Sequence, residues 1–504
     1  MSDLFRGPAA AAEGTEPAAE QVPLDDKFRR AYLWIVNHAI ITPYYDIEFN
    51  TPAEAPRTFR FGGAGTDLRL PTNHSWSSFV LLPILTFAAR RKALFVGGPG
   101  RGKTASAMLM GILAGYTLKE MRRGMQHGQP QMTVADLLGS PLPKDLIQAD
   151  DIEKIRIGWR QWIKMRVKIV DEYNRIPTRT QSALLTLLGD GYAEVLGQTV
   201  ESPESAWFLT ANDDAGGGTY QVIEALRDRL DIVIKALNFN PRFLGDLLTR
   251  IEDGVKPENM VPREIIFTET ELDEAYRRIL RMPIPRELRR RIEFFSAQFD
   301  FCDLASKEIE YKSKDTIHLA GKTLSATCAS DCGRDKIKCL CSQTENGLSV
   351  RSLMTLLTFT KTLAWFRGSD AVAPEDVRQI LPFVLHEKLQ INPTSPFFDQ
   401  TANTIYRIDR IAWLRRAWDL ACDEFVRLNL DRDDPVGTID AEFDKGLEGV
   451  PAPEVKKQLN AIETALQSLA KNSKLYAHVH ADVLKLKYYH QRYSNYLRWL
   501  QWKG

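Results

Sequence analysis

The stretch Ala93–Thr104, ALFVGGPGRGKT, constrains this chain more than any other. Ala93–Val96 is a short apolar run that reads as a buried β-strand, and Gly97–Thr104 follows as G-x-x-x-x-G-K-T. Gly97, Gly98, Gly100 and Gly102, with Pro99 and Arg101 between them, let the backbone turn tightly with its N–H groups facing inward at phosphate oxygens. From Ala105 the sequence is rich in Ala and Met, and the positive N-terminus of a helix there points at the same spot. In such a loop Lys103 reaches the β- and γ-phosphates of a nucleotide, and the Thr104 hydroxyl can hold Mg²⁺. A Gly-rich turn bearing GKT by chance is the bland alternative. The apolar run before it and the helical segment after it argue for the nucleotide.

The 504 residues give room for about three domains. Charged residues make up 26% and hydrophobic ones 44%, as in ordinary globular proteins. With a net charge of +1, no global electrostatic case exists for nucleic acid as a partner. The most apolar stretch, Trp76–Ala89, contains Pro83 and is too short to span a bilayer. The N-terminus lacks the basic and apolar regions of a signal peptide. Six cysteines, four of them between Cys328 and Cys341, do not form a secreted disulfide framework in so long a chain. The expectation is a cytoplasmic protein with no membrane segment.

Residues 1–24 read as a disordered tail, and Phe28, Tyr32, Ile35 and Ala39 then recur at helical spacing. Because 68 positions separate Lys103 from Asp171, an insertion is expected between them, including a Trp159–Trp162 helix. Strands are expected at Val167–Val170, Trp207–Leu209 and Asp231–Leu237, alternating with helices around a parallel sheet. After Pro241 the pattern is helical, and Thr268-x-x-Glu271 is a capping box. A long amphipathic helix is expected from Asn403, with Ile408, Ile411, Trp418, Cys422 and Phe425 on one side. Residues 429–450 read as a linker before a helical tail bearing Tyr489, Tyr493, Tyr496 and Leu500, a stripe suited to packing on that long helix. His478-x-His480 is a poor metal pair, because i,i+2 positions on a helix diverge.

Val167–Val170 ends in Asp171 and Glu172, as a phosphate loop requires. Asp171 would hold the Mg²⁺ shared with Thr104, and Glu172 would polarise the attacking water. Asn212, polar at the end of an apolar strand, is placed to orient that water.

The segment DEYNRIPTRTQSALL, the Thr210-Ala211-Asn212 triplet and GGGTYQVIEALRDRLD together resemble the MoxR branch of AAA+ ATPases. LSVRSLMTLLTFTKTLAWFRGSDAVAPEDVRQILPFVLHEKL is similar to the helical lid of that branch, and ADLLGSPL to the end of its helix-2 insertion. The resemblance covers about residues 75–390. Together with the helical patterns that lie outside it, the resemblance leads to the expectation of an AAA+ α/β domain over 25–240, a helical lid over 241–398 interrupted by a Cys-rich insertion at 302–347, and a C-terminal helical domain over 399–504. It further implies that Asn212 is sensor 1, Arg229 the arginine finger given to a neighbour's γ-phosphate, and Arg351 sensor 2. Leu230 stands where the family has Phe, and Asn212-Asp213-Asp214 where it has Asn-Pro. Such ATPases form hexameric rings that remodel or mature partner proteins, often beside a von Willebrand factor A domain protein. Two other classes stay open: an McrB-like motor acting with a nuclease on DNA, and a scaffold that ATP merely orders. An intact set of Lys103, Asp171, Glu172 and Arg229 argues against the scaffold.

Outside the resemblance, Cys328, Cys332, Cys339 and Cys341 crowd into a polar stretch with little to bury them. Four thiolates so close call for a neutralising ion, so structural Zn²⁺ is expected on them, with Cys302 and His318 as substitutes.

Overall fold

The computed structural model describes residues 22–40, 44–49, 55–62, 66–148, 154–212, 224–236, 239–254, 256–328, 332–430, 434 and 436–503. Residues 1–21 of the tail expected over 1–24, most of the GGGTYQVIEA stretch and the Asp213–Asp214 pair lie outside them, while Leu24 already begins a helix. At the centre is a parallel sheet of β1 (Lys92–Val96), β2 (Gln126–His127), β3 (Val167–Asp171), β4 (Ala206–Ala211) and β5 (Ile232–Lys235). The spatial order is β5-β1-β4-β3-β2. The central strand β4 is buried along its whole length, which is why its sequence is a continuous apolar run and not an alternating one. In register, Ala211 stands beside Val96 and Leu209 beside Val170. The carboxyl ends of β1, β3 and β4 therefore meet at one edge, where ligands bind in open α/β sheets.

Helices cover the sheet. The helix α1 (Leu24–Trp34) turns Phe28 onto Phe267, Trp365 and Phe87, with ring centroids 4.2, 5.3 and 5.8 Å away. This aromatic cluster ties the N-terminal helix to both the sheet domain and the helices after it. The helix α2 (Ser78–Ala89) is buried on every side despite Pro83, as its all-apolar sequence demands. The helix α3 (Lys103–Leu113) follows the Gly-rich loop, α4 (Thr178–Asp190) follows β3, and α5 (Glu224–Arg229) precedes β5. In the insertion, Trp159 ends a short strand, and the helical turn begins only at Gln161.

Beyond the sheet come α6 (Glu269–Arg281), opened by the Thr268–Glu271 capping box, and α7 (Arg286–Asp300). Next are α8 (Val350–Phe366) and α9 (Pro374–Leu385), which pack on each other and on the sheet domain. The helix α10 begins late, at Arg410–Arg427, and Ile408 lies exposed before it, while Trp418 and Phe425 are buried.

The stretch expected as a linker instead contains α11 (Gly437–Phe443), with Ile439 and neighbouring Val436 buried. With α12 (Ala452–Asn472) and α13 (Ala477–Lys503) it forms a second hydrophobic core. The aromatic stripe packs there and not on α10: Phe443 stacks on Tyr489 at 4.1 Å and meets Tyr493 edge-on at 5.8 Å. High acidity hid a short helix whose two apolar positions suffice to close this core. His480 Nε2 lies 2.7 Å from the Ile309 carbonyl, whereas His478 faces Phe294 and is pushed down to about 4 by burial. No described helix is long and apolar enough to cross a membrane.

Candidate active site

The Gly-rich loop joins β1 to α3. Gly97 has φ +144°, and a Cβ there would meet the Ala236 carbonyl oxygen at 2.6 Å, so only glycine fits between β1 and the end of β5. Gly102, at φ +76°, turns the chain into α3. The loop, Asp171, Glu172, Thr210 and Asn212 line one open pocket with about 560 Å³ of empty space.

The side chains in this pocket are bonded to one another. Buried Lys103 donates from Nζ to the Gly98 carbonyl at 2.8 Å, to the Asn212 Oδ1 at 2.8 Å and to the Gly97 carbonyl. The Thr104 hydroxyl donates to Asp171 Oδ1 at 2.8 Å, and Thr210 Oγ1 donates to the same oxygen at 2.7 Å. Asn212 Nδ2 donates to Glu172 Oε1 at 2.7 Å, and Arg175 Nε lies 3.2 Å from Glu172 Oε2. His127 Nδ1 stands 3.6 Å from Asp171 Oδ2.

Glu172 sits at φ +52°, in the left-handed region that a non-glycine residue enters at a cost of about 1–3 kcal/mol. Its amide donates to Thr210 Oγ1 at 2.9 Å, which holds that turn. Thr210 thus braces both carboxylate residues, a role that its place in an apolar run concealed. Arg175 was equally hidden; its spacing of three from Glu172 was the available signal.

Asp171 and Thr104 present hard oxygen donors side by side, the chemistry that suits Mg²⁺ when nucleotide phosphates complete its shell. Every residue expected around the phosphates is therefore brought together, while the two other arginines stand apart. Arg351 Nη1 donates to Asp228 Oδ2 at 2.6 Å, and Lys388 Nζ to the Asp228 carbonyl at 3.0 Å. Burial lowers the Lys388 ammonium below its usual range. Arg229 lies against Gly189 at the end of α4, and its buried Nε makes no hydrogen bond among the described residues. Neither arginine lines its own chain's pocket.

The cysteines differ from expectation. Among the described residues no group of three or more His, Cys, Asp or Glu is placed to hold a metal ion. The expected zinc on Cys328, Cys332, Cys339 and Cys341 therefore finds no support; the Cys339 and Cys341 thiols instead share a hydrogen bond, which with the Arg334 guanidinium holds Cys341 below the usual thiol range. His318 Nε2 is engaged with the Glu345 carbonyl at 2.9 Å.

Comparison with known proteins adds four observations. The AAA lid domain family matches residues 338–408, which contain α8, α9 and Arg351. The chaperone MoxR1 of Mycobacterium tuberculosis is 24% identical over 305 residues, covering 58% of this chain and 72% of that protein. The protein MoxR of Paracoccus denitrificans is 24% identical over 338 residues, covering 62% and 84%. A solved structure from Cytophaga hutchinsonii overlaps 66% of this chain and 88% of its own at 19% identity, with a TM-score of 0.43. In its motifs, its lid and these relatives, the chain is similar to the MoxR-type AAA+ ATPases.

Proposed function

We propose that this chain hydrolyses Mg²⁺-bound ATP in a ring of like subunits, a hexamer in the pattern of its family. The hydrolysis would drive remodelling or maturation of a partner protein in the cytoplasm, and a von Willebrand factor A domain protein is one class of adaptor. The observation that carries this reading is the pair of bonded sets, Lys103–Asn212–Glu172 and Thr104–Asp171, that Thr210 links around one pocket.

In this reading the loop amides and Lys103 bind the phosphates, with Lys103 exchanging carbonyl and Asn212 partners for phosphate oxygens. Thr104 and Asp171 would hold Mg²⁺, which would supply charge neutralisation at the phosphates. Glu172 takes a proton from water, and Asn212, bonded to it at 2.7 Å, fixes its carboxylate toward that water. Arg229, absent from its own pocket, is offered to the neighbouring subunit, and Arg351 senses nucleotide through the lid. The domain limits expected from sequence, 25–240, 241–398 and 399–504, are retained as part of the proposal.

The test is Glu172→Gln. Turnover should fall by about 10²–10⁴-fold while ATP stays bound, because the positioning network survives and base catalysis is lost. Hydrolysis at the parental rate would remove Glu172 from the role.

A further inference from the structure

Two thiols of the Cys-rich insertion are in contact, and they are not alike. Cys339 caps the helical turn Leu340–Gln343 and Cys341 lies inside it. They share a hydrogen bond in which the Cys339 thiol donates and Cys341 Sγ accepts. The turn is fixed from outside: Trp413 Nε1 donates to Gln343 Oε1 at 2.9 Å, and Asn392 Nδ2 to the Ser342 carbonyl at 2.9 Å.

Positive charge converges on the same sulfur. Arg334 donates from Nη1 to Cys341 Sγ at 3.3 Å, and its guanidinium lies over the Phe301 and Tyr476 rings at 5.0 and 5.2 Å. Lys314, 1% exposed, lines the same cavity as Cys341. Burial brings its ammonium down to about 8, so it is still charged near neutral pH. Asp303, the one carboxylate among the described residues of that lining, is engaged by Lys312 Nζ at 2.7 Å.

Such surroundings favour a thiolate. The Cys339 hydrogen bond and the Arg334 guanidinium hold Cys341 below the usual thiol range, and Cys339 is raised in return. Burial pushes up Cys302 and Cys328, which line the same cavity. Cys341 is thus an activated nucleophile at neutral pH, and its bonded neighbour is not. It is half-buried beside a cavity with room for about one water, which admits a small oxidant and excludes a bulky one.

We propose that Cys341 is a peroxide-reactive thiolate and that Cys339 resolves it into a reversible Cys339–Cys341 disulfide. The Cys341 sulfur, its own proton already lost to solvent, attacks one oxygen of hydrogen peroxide. The O–O bond breaks, and the leaving hydroxide takes the Cys339 thiol proton to become water. The Cys339 thiolate then attacks the sulfenic sulfur; the S–S bond forms, the S–O bond breaks, and solvent protonates the second hydroxide. Two thiol sulfurs are oxidised and one peroxide is reduced to two waters. A dithiol reductant reverses the reaction by exchange. Arg334 is a positioning residue that stabilises the thiolate. The proposal is independent of the ATPase reading, since no cysteine lines the nucleotide pocket.

The tryptic peptide Cys339–Arg351 holds both thiols and no other cysteine, so its mass reports the reaction alone. In the experiment the reduced full chain meets hydrogen peroxide near pH 6, where few ordinary thiols ionise, and remaining thiols are then blocked with N-ethylmaleimide. The peptide should be lighter than its reduced form by two hydrogens and free of the blocking group, while Cys302 and Cys422 carry it. Cys341 should react about 10²-fold faster than Cys422, which burial pushes up to about 11, because a larger thiolate fraction outweighs weaker nucleophilicity. In Cys339→Ser the sulfenic acid should persist and be trapped by dimedone. Arg334→Gln should move the pH midpoint of the oxidation rate upward, which mere loosening of the turn does not do. ATP binding reports that each variant has folded. Should Arg334→Gln fail to fold, the parental pH profile and Cys339→Ser still decide. A disulfide joining Cys341 to Cys302 or Cys328, oxidation no faster than at Cys422, or an unshifted midpoint in folded Arg334→Gln would each overturn the assignment. So would a parental rate that falls about tenfold per pH unit below about pH 8, as for an ordinary thiol.

Discussion

The nucleotide pocket and the cysteine pocket both gather charged and nucleophilic side chains around a space, yet they are built in opposite ways. The first is made by sheet register. Ala211 beside Val96 and Leu209 beside Val170 bring three strand ends to one edge, and the polar groups there bond to each other. The second is made by turns and short helices, with thiols that face a common cavity without such a lattice behind them. A site drawn from hydrogen-bonded strands holds its shape before its ligand arrives. One drawn from turns and short helices takes its shape from packing, here from the buried Phe301 and Leu324 side chains.

The contrast is most sharply tested where the nucleotide pocket is incomplete. If the neighbour supplies Arg229, Arg229→Ala should reduce turnover by about 10³–10⁵-fold while leaving nucleotide affinity of the isolated chain close to parental. Activity per subunit should also rise with protein concentration. Mixing Arg229→Ala with Lys103→Ala subunits should recover some activity, because mixed interfaces pair an intact loop with an intact arginine. Mixed rings that stay inactive would place the arginine elsewhere.

Thr210 tests whether register alone suffices. Thr210→Val keeps the shape of a buried strand residue but removes the donor to Asp171 and the acceptor for the Glu172 amide. Hydrogen bonds to charged groups are worth about 1.5–3 kcal/mol, so turnover should drop by about tenfold to a hundredfold with the melting temperature little changed. An unchanged rate would show that the left-handed turn at Glu172 is held by the chain on either side.

The two pockets also divide on what the sequence reveals. Lys103, Thr104, Asp171 and Asn212 were legible because each ends or follows a strand in a fixed pattern, and the strands themselves are short apolar runs. Thr210 was not, since a threonine in a buried strand has no spacing of its own, and Arg175 offered only its spacing of three from Glu172. The cysteine run was visible, but Cys302 is separated from it by 26 positions, and only folding brings it to the same cavity. The helix α11 was missed because acidic residues dominate its surroundings. Its Ile439, together with Val436 just before it, finds a core only when α12 and α13 are present.

The smallest effect lies under the nucleotide pocket itself. Lys168, in β3, is 1% exposed and lies over the Trp207 ring at 5.4 Å. Its Nζ donates to Ser205 Oγ at 2.8 Å and to the Met165 carbonyl at 2.5 Å, and desolvation pushes it down to about 7 from an ordinary 10.5. Between those values the unfolded chain binds a proton that the folded chain does not. Stability therefore rises with pH across that window, by at most about 1.4 kcal/mol per pH unit for one proton. Below about pH 7 both states carry the charge, and the full cost of burying an ammonium is felt. Lys168→Met removes this group, so other titrations cancel when the two proteins are compared. Urea unfolding near pH 7 and near pH 9 should show the parent gaining on the Met variant as pH rises. Parallel profiles would mean that Lys168 stays protonated within the sheet, with Ser205 and the Met165 carbonyl stabilising the charge against burial.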